Sequence, residues 1–351
     1  MNKSPAYSLV AGRFSSIKKA AQALAATALM MVGCGEMGAA DIDTEVSELR
    51  SASTVASFNP AVGQLPESLT ADAQGNFYMS MGNTVTKLSK SGQLSVYAQL
   101  PTPAGTFATG VKFGPDGLLY VCSASFNPAD DASAVYRVSA TGVVSQVAHL
   151  DPASFPNDLA FGRGGTLYVT DPFKGQLFRI TSSGQASVWV QDPILLGNAA
   201  APYLTIHDFG VDGIALDEDK DTVYVGNLDY GRIIRIPITR SGAAGTPRVW
   251  VEDSKLLGAD GIAFDAAGNL FVAVNGQDQV ARVNDCGQVS IVAKGTGLDA
   301  PSSLVFGQSG RDKRTLYFTN FAILRALGVR PGAPQPSLMS IPVRFPGQGI
   351  P

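Results

Sequence analysis

Six residues of this 351-residue chain stand at equivalent places in a repeated pattern: Glu67, Thr109, Asn157, Asp212, Asp260 and Ser302. Three are carboxylates and one is a carboxamide. If a fold brings such side chains together, their like charges repel and resist leaving water unless a cation lies between them. Oxygen-only donors of high negative charge suit one hard divalent ion, Ca2+ first, with Mg2+, Mn2+ or Zn2+ as alternatives. A metal held there could polarise a substrate carbonyl, or it could be purely structural. The polar heads could also do no more than hold water.

The pattern that positions these residues is clearest in Ala259–Asn275, ADGIAFDAAGNLFVAVN. A polar residue and a small one lead into an alternating strand, a glycine-bearing turn and a second strand with a polar end, which is a β-hairpin signature. Val211–Asn227 and Pro156–Asp171 repeat it closely, and Ala108–Cys122, Pro66–Ser80 and Pro301–Asn320 more loosely. The heads recur at roughly 40–55 residues, the spacing of propeller blades. Each repeat continues through two more strands, except that the sixth lacks its fourth. Thr54–Phe58, ahead of the first repeat, has the alternation of a fourth strand and is expected to close the sixth blade, leaving no free ring interface. The expected architecture is all-β: a six-bladed propeller over 54–351 with four antiparallel strands per blade. The first strand of each blade lines the channel, so the six heads should face one another near one mouth.

At these residues the chain resembles the senescence marker protein/gluconolactonase/luciferin-regenerating enzyme family of six-bladed propellers with one divalent metal on the channel axis. Glu67 in Pro-Glu-Ser, Asn157 before Asp158, Asp212 before Gly213 and Asp260 before Gly261 fall in the family's blade order. The departure is Asp212, where the family usually has Asn. The resemblance implies metal ligands Glu67, Asn157, Asp212 and Asp260, and metal-assisted hydrolysis of a lactone or related ester. Asp260 is by analogy the first candidate base. His207, five residues ahead of Asp212, is the second, set against its role as a loop histidine satisfied by a hydrogen bond. Thr109, Asp158, Ser302 and Phe321 are candidate substrate contacts.

Two other functions compete: a non-catalytic propeller that binds a ligand or protein on its channel face, and a phosphotriesterase-like hydrolase. Other motifs weigh little. His149 belongs to an outer strand. Asp217, Asp219 and Asp221 lack the glycine and glutamate of an EF-hand. The glycines at 295 and 297 precede no helix, as a dinucleotide fingerprint requires. No strand-to-helix elbow presents a serine nucleophile. In the sixth repeat the connection Phe321–Pro336 is long and rich in apolar residues, and Phe321–Leu327 is expected to cover the channel mouth. Phe126–Ser133 and the Asn198–His207 approach are expected to form other walls.

Hydrophobic residues make up 45% of the chain, enough for a large core, whereas charged residues are 16% and the net charge is −3. No basic surface is implied, so a small molecule rather than nucleic acid is the expected partner. Lys18 and Lys19 precede the apolar run Ala20–Gly33, which at about 14 residues suits a signal-peptide core rather than a membrane span. Met31-Val32-Gly33-Cys34 resembles a lipobox. That implies a signal peptide over 1–33, lipidation of Cys34, a flexible tether over 34–53 and export to the bacterial outer membrane, with membrane contact only through the lipid. Cys122 and Cys286 fall in non-neighbouring repeats, so both are expected as unpaired thiols.

Overall fold

The computed structural model describes residues 50–200, 207–217 and 221–349. The expected signal segment, the lipidation site Cys34 and most of the tether lie outside these residues. Six separate four-stranded antiparallel sheets form, one per repeat. Blade 1 is typical, with strands Pro66–Ala71, Phe77–Met81, Thr84–Leu88 and Leu94–Gln99 from the channel outward. Its turns use Gly75 and Gly92, both at φ +85°, a conformation that side chains with a Cβ disfavour.

Closure of the ring is as the alternation predicts. Ser53–Ser57 pairs antiparallel with Ser337–Pro342 in the register Ser53↔Ser340 and Ser57↔Ser337, supplying the outer strand of blade 6. Ahead of this strand, the Arg50 N–H donates to the Val292 carbonyl of blade 5 and its guanidinium to the Pro342 carbonyl. The expected tether is therefore already docked over 50–53.

Six apolar clusters correspond to the six blade interfaces. Leu69, Met79 and Phe77 of blade 1 meet Phe58, Val305 and Leu338 of blade 6, for example, and Val111, Leu119 and Val121 of blade 2 meet Tyr78, Val85 and Ala98 of blade 1. Both faces of each sheet are thus covered, which accounts for buried runs such as Leu270–Val274 where strict alternation would expose every second residue. Cys122 is fully buried at the interface of blades 2 and 3, and burial, followed by the nearby acids Asp158 and Glu67, pushes its thiol pKa well up. It is a free, inert thiol, as expected. Cys286 differs from expectation: it is disulfide-bonded. Blade adjacency tested only a bond to Cys122 and so could not rule out pairing elsewhere.

Candidate functional site

In five blades the innermost strand carries a register shift where the head residue stands. Between Pro66 and Leu69, Ala108 and Val111, Val211 and Ile214, Ala259 and Ile262, and Pro301 and Leu304, two residues oppose one on the neighbouring strand. Bulges of this kind re-aim side chains out of the ladder. Blade 3 does the same just before its strand, with the Asn157 N–H donating to Thr170 and the Thr170 N–H to Asp158.

The residue after each head explains the recurring Asp-Gly. A Cβ on Gly213 would stand 2.2 Å from the Asp260 carbonyl oxygen, one on Gly261 2.5 Å from that of Ser302, and one on Gly110 2.6 Å from that of Asn157. The carbonyl of the next head packs directly against this position, so only glycine fits in these blades. In the other three blades the follower is polar and accepts a backbone N–H from the next blade. The Ser68 hydroxyl accepts from Val111 at 3.1 Å, Ser303 from Leu69 at 3.1 Å and the Asp158 carboxylate from Ile214 at 3.3 Å. Each polar follower faces a hydroxyl residue across the bulge: Ser80, Thr319 and Thr170 each accept its N–H.

Glu67, Asn157, Asp212 and Asp260 all border one cavity of about 350 Å³ at the channel mouth. Asp212 and Asp260 are buried and Glu67 is half-buried, and each pKa is raised well above its ordinary value. Desolvation is the largest cause in each case. Charge repulsion adds to it, from Asp212 and Asp158 on Glu67, from Asp158 and Asp229 on Asp212, and from Asp212, Glu67 and Asp158 on Asp260. The Ser80 hydroxyl donates to Glu67 Oε2 at 3.2 Å, and Asn275 Nδ2 donates to Asp260 Oδ2 at 3.3 Å. Asn275, which borders the same cavity, was not singled out from sequence. The signal was there, since it is the polar end of the second strand in the pattern that defines the repeat. Its Oδ1 is buried with no hydrogen-bond partner among the described residues.

Among the described residues no three Asp, Glu, His or Cys side chains converge closely enough to form a metal site by themselves. The cavity's donors nonetheless fit a hard ion in kind: buried carboxyls that repel one another, the Asn157 carboxamide, and an unsatisfied carboxamide oxygen at Asn275.

The remaining predicted residues are placed differently. Thr109 borders the cavity, but its hydroxyl donates to the Pro156 carbonyl at 2.7 Å. The Ser302 hydroxyl donates to the Glu67 carbonyl at 2.5 Å, so this buried side chain stitches blade 6 to blade 1. Asp158 accepts backbone N–H groups from Leu159 and Ile214 and serves the same kind of stitch. Neither Ser302 nor Asp158 borders the cavity. His207 stacks on Phe173, with ring centroids 3.7 Å apart and an 11° angle between planes, and its Nδ1 lies 2.7 Å from the Asp208 carbonyl. It packs against the aromatic wall and is not among the residues bordering the cavity.

Phe321 does border it, together with Ile323 and Leu327 of the long sixth-blade connection, which carries a short helix over Ile323–Ala326. Phe107, Phe126, Phe155 and Phe209 complete an apolar wall. Two buried carboxylates position it. Asp171 Oδ1 accepts the N–H groups of Phe155 and Phe173, and Asp229 Oδ2 accepts those of Phe209 and Asn198.

Residues 203–322 match the family model of the SMP-30/Gluconolactonase/LRE-like region. The chain carries such an SGL region. A gluconolactonase of Zymomonas mobilis subsp. mobilis is 26% identical over 204 residues, covering 50% of this chain and 52% of that protein, so the chain spans about half the length of the curated relative it matches. Among solved structures, the calcium-binding protein regucalcin from Agrobacterium tumefaciens aligns over 82% of this chain and 93% of its own, with a TM-score of 0.61 and 20% identity. A gluconolactonase from Xanthomonas campestris aligns over 84% and 96%, with a TM-score of 0.54 and 17% identity. These likenesses establish that the SGL region sits within a fold shared with those propellers.

Proposed function

We propose that the chain is a metal-dependent hydrolase that opens a lactone or related ester at the channel mouth. One divalent cation, Ca2+ first, would be held there by Glu67, Asn157, Asp212 and Asp260. The observation that carries this reading is that four side chains from four blades border one cavity, three of them carboxyls whose burial and mutual charge oppose ionisation. A cation removes that opposition. The SGL match and the gluconolactonase similarity support the reaction class.

The cation, when bound, supplies Lewis acidity toward the carbonyl oxygen and offsets the charge that develops on it. The chain's own residues do the rest. Asp260, ionised, takes the proton of the attacking water, while the Asn275 carboxamide holds Asp260 Oδ2 and fixes the carboxylate plane. The phenylalanine wall keeps bulk water from the reacting centre.

The test compares wild type with Asp260→Asn for Ca2+ binding by calorimetry and for turnover of simple lactones and aryl esters. The expected result is saturable Ca2+ binding and hydrolysis that chelation abolishes, with turnover at least about 100-fold lower in the variant. Wild-type protein that binds Ca2+ and hydrolyses none of these substrates refutes catalysis and leaves a binding module.

The proposal also places the domain outside the cytoplasm, lipid-anchored to the outer membrane through Cys34, on the strength of residues 1–34. A disulfide at Cys286 fits an oxidising compartment, but with three cysteines in the chain and Cys122 free it competes with the lipid for Cys34. A Cys34 sulfur in a thioether to lipid cannot also pair, so the intact mass of the exported protein decides: a diacylglyceryl adduct supports the anchor and an unmodified Cys34 overturns it.

A further inference from the structure

The cavity's lining is of two kinds. The polar side chains of the lining are the heads Glu67, Thr109, Asn157, Asp212 and Asp260 with Asn275, and among them the Thr109 hydroxyl is already donated to a backbone carbonyl. The apolar lining is Phe107, Phe126, Phe155 and Phe209 together with Phe321, Ile323 and Leu327 of the sixth-blade connection. Among the described residues no lysine, arginine, glutamine, histidine or serine borders the cavity. A sugar lactone would press several hydroxyls against phenyl rings with no partner, and each unpaired hydroxyl weakens binding several-fold or more.

The wall is also preformed. Asp171 and Asp229 fix the backbone beneath Phe155 and Phe209. The sixth-blade connection is bolted to blade 5 and its exit loop by charge pairs: Arg325 with buried Asp299, and Arg330 with Asp278 at 2.8 Å. Asp299 Oδ2 also accepts the Gln335 N–H at 2.9 Å, tying down the far end of the connection. Phe321–Leu327 is therefore a standing wall of the pocket. An apolar cavity of about 150 Å³ holds a benzene ring; at about 350 Å³ this one has room for a lactone ring and an apolar substituent of similar bulk.

From this we infer that the site selects lactones or esters bearing an uncharged alkyl or aryl group beside the reacting carbonyl, and discriminates against polyhydroxylated sugar lactones. The inference rests on the hydrolase reading for its reaction but not for its recognition, and the experiment separates the two. Hydrolysis is measured for γ-butyrolactone, γ-octalactone, γ-decalactone and glucono-δ-lactone. Binding of unreactive γ-lactams with the same alkyl chains is measured in parallel by calorimetry.

Selectivity should rise by about four-fold per methylene until the pocket is full, or roughly 250-fold over the four added carbons from γ-butyrolactone to γ-octalactone. Glucono-δ-lactone should be the poorest substrate. Leu327→Asn, at an exposed position of the connection, should lower the octalactone-to-butyrolactone ratio about ten-fold. Lactams that bind more tightly with chain length, without hydrolysis of any lactone, sustain the apolar selectivity and sink the hydrolase reading. Hydrolysis or binding that is flat with chain length, or that favours glucono-δ-lactone, overturns the inference.

Discussion

Glu67, Asp212 and Asp260 link stability to pH in the sense opposite to salt-bridged carboxylates. Their unfolded-state values are 4.5 for the glutamate and 3.8 for the aspartates, and burial followed by mutual charge raises each well above that in the folded protein. Between the two values the folded chain holds protons that the unfolded chain has released. The stability these groups contribute is therefore fully present below about pH 4 and lost as pH rises through their folded values. A cation takes the place of those protons, so it binds better, and matters more, at higher pH. Calcium at a hundred times its Kd adds about 2.7 kcal/mol. An unfolding entropy of about 2.1 cal/mol/K per residue over roughly 300 residues is about 0.6 kcal/mol/K. The expected rise in Tm is thus about 4 °C at pH 8 and much smaller at pH 5. Scanning calorimetry in chelator and in excess CaCl2 at both pH values reads this directly. Asp260→Asn isolates the contribution of the cluster from the rest of the chain: the cation-free variant should lose less stability than wild type between pH 5 and 8, and calcium should raise its Tm less. Equal calcium shifts at the two pH values, or a wild-type pH dependence that the substitution leaves unchanged, would refute the reasoning.

Two further outcomes test the frame around the site. Gly213→Ala should destabilise by about 3 kcal/mol and weaken calcium binding, because its methyl group would meet the Asp260 carbonyl at 2.2 Å, whereas Gly349→Ala, with nothing within 4 Å, should be silent by thermal melting. Arg325→Met leaves buried Asp299 without its cation and should cost about 3 kcal/mol, or about 5 °C in Tm. Limited proteolysis should then cut between Phe321 and Gln335 first, and a cleavage pattern identical to wild type would mean that the charge pairs do not hold the wall.

Blade number, ring closure and the cavity's acids were legible because each is written in local pattern. The two-residue head interrupts an alternating strand at the bulge, and the bulge is what turns Glu67, Asp212 and Asp260 out of the ladder. The aromatic wall was not legible as a unit. Phe126, Phe155, Phe173 and Phe209 lie outside the regular strands, where no periodicity marks a facing side, and the carboxylates that position two of their loops, Asp171 and Asp229, look like ordinary strand-end polar residues. His207 was a candidate base on sequence proximity to Asp212, yet five residues of non-repetitive chain are enough to carry it onto Phe173 instead. Cys286 was judged by blade adjacency alone, a criterion blind to partners outside the blades.

Hydrogen-bond accounting separates the heads that build the ring from those left for chemistry. Thr109 and Ser302 donate their hydroxyls to carbonyls of the next blade, at Pro156 and Glu67. A carboxylate cannot donate, so a head that is Asp or Glu cannot make this stitch and must find another use for its charge. Glu67, Asp212 and Asp260 occupy ring positions where a hydroxyl would have stabilised the fold more cheaply, and their neighbours compensate through the close carbonyl approach that Gly213 and Gly261 permit and the hydrogen bonds of Ser68 and Ser80. Gathering two buried acids and a half-buried one opposes folding at neutral pH, and nothing in the packing of the blades requires it. Replacing all three with threonine or serine should therefore raise the stability of the cation-free protein at pH 8 while abolishing calcium binding, which is the signature of residues kept for a ligand rather than for the fold. If the triple variant is instead less stable than the wild type in chelator at that pH, the acids are structural and the case for a ligand at the channel mouth falls with them.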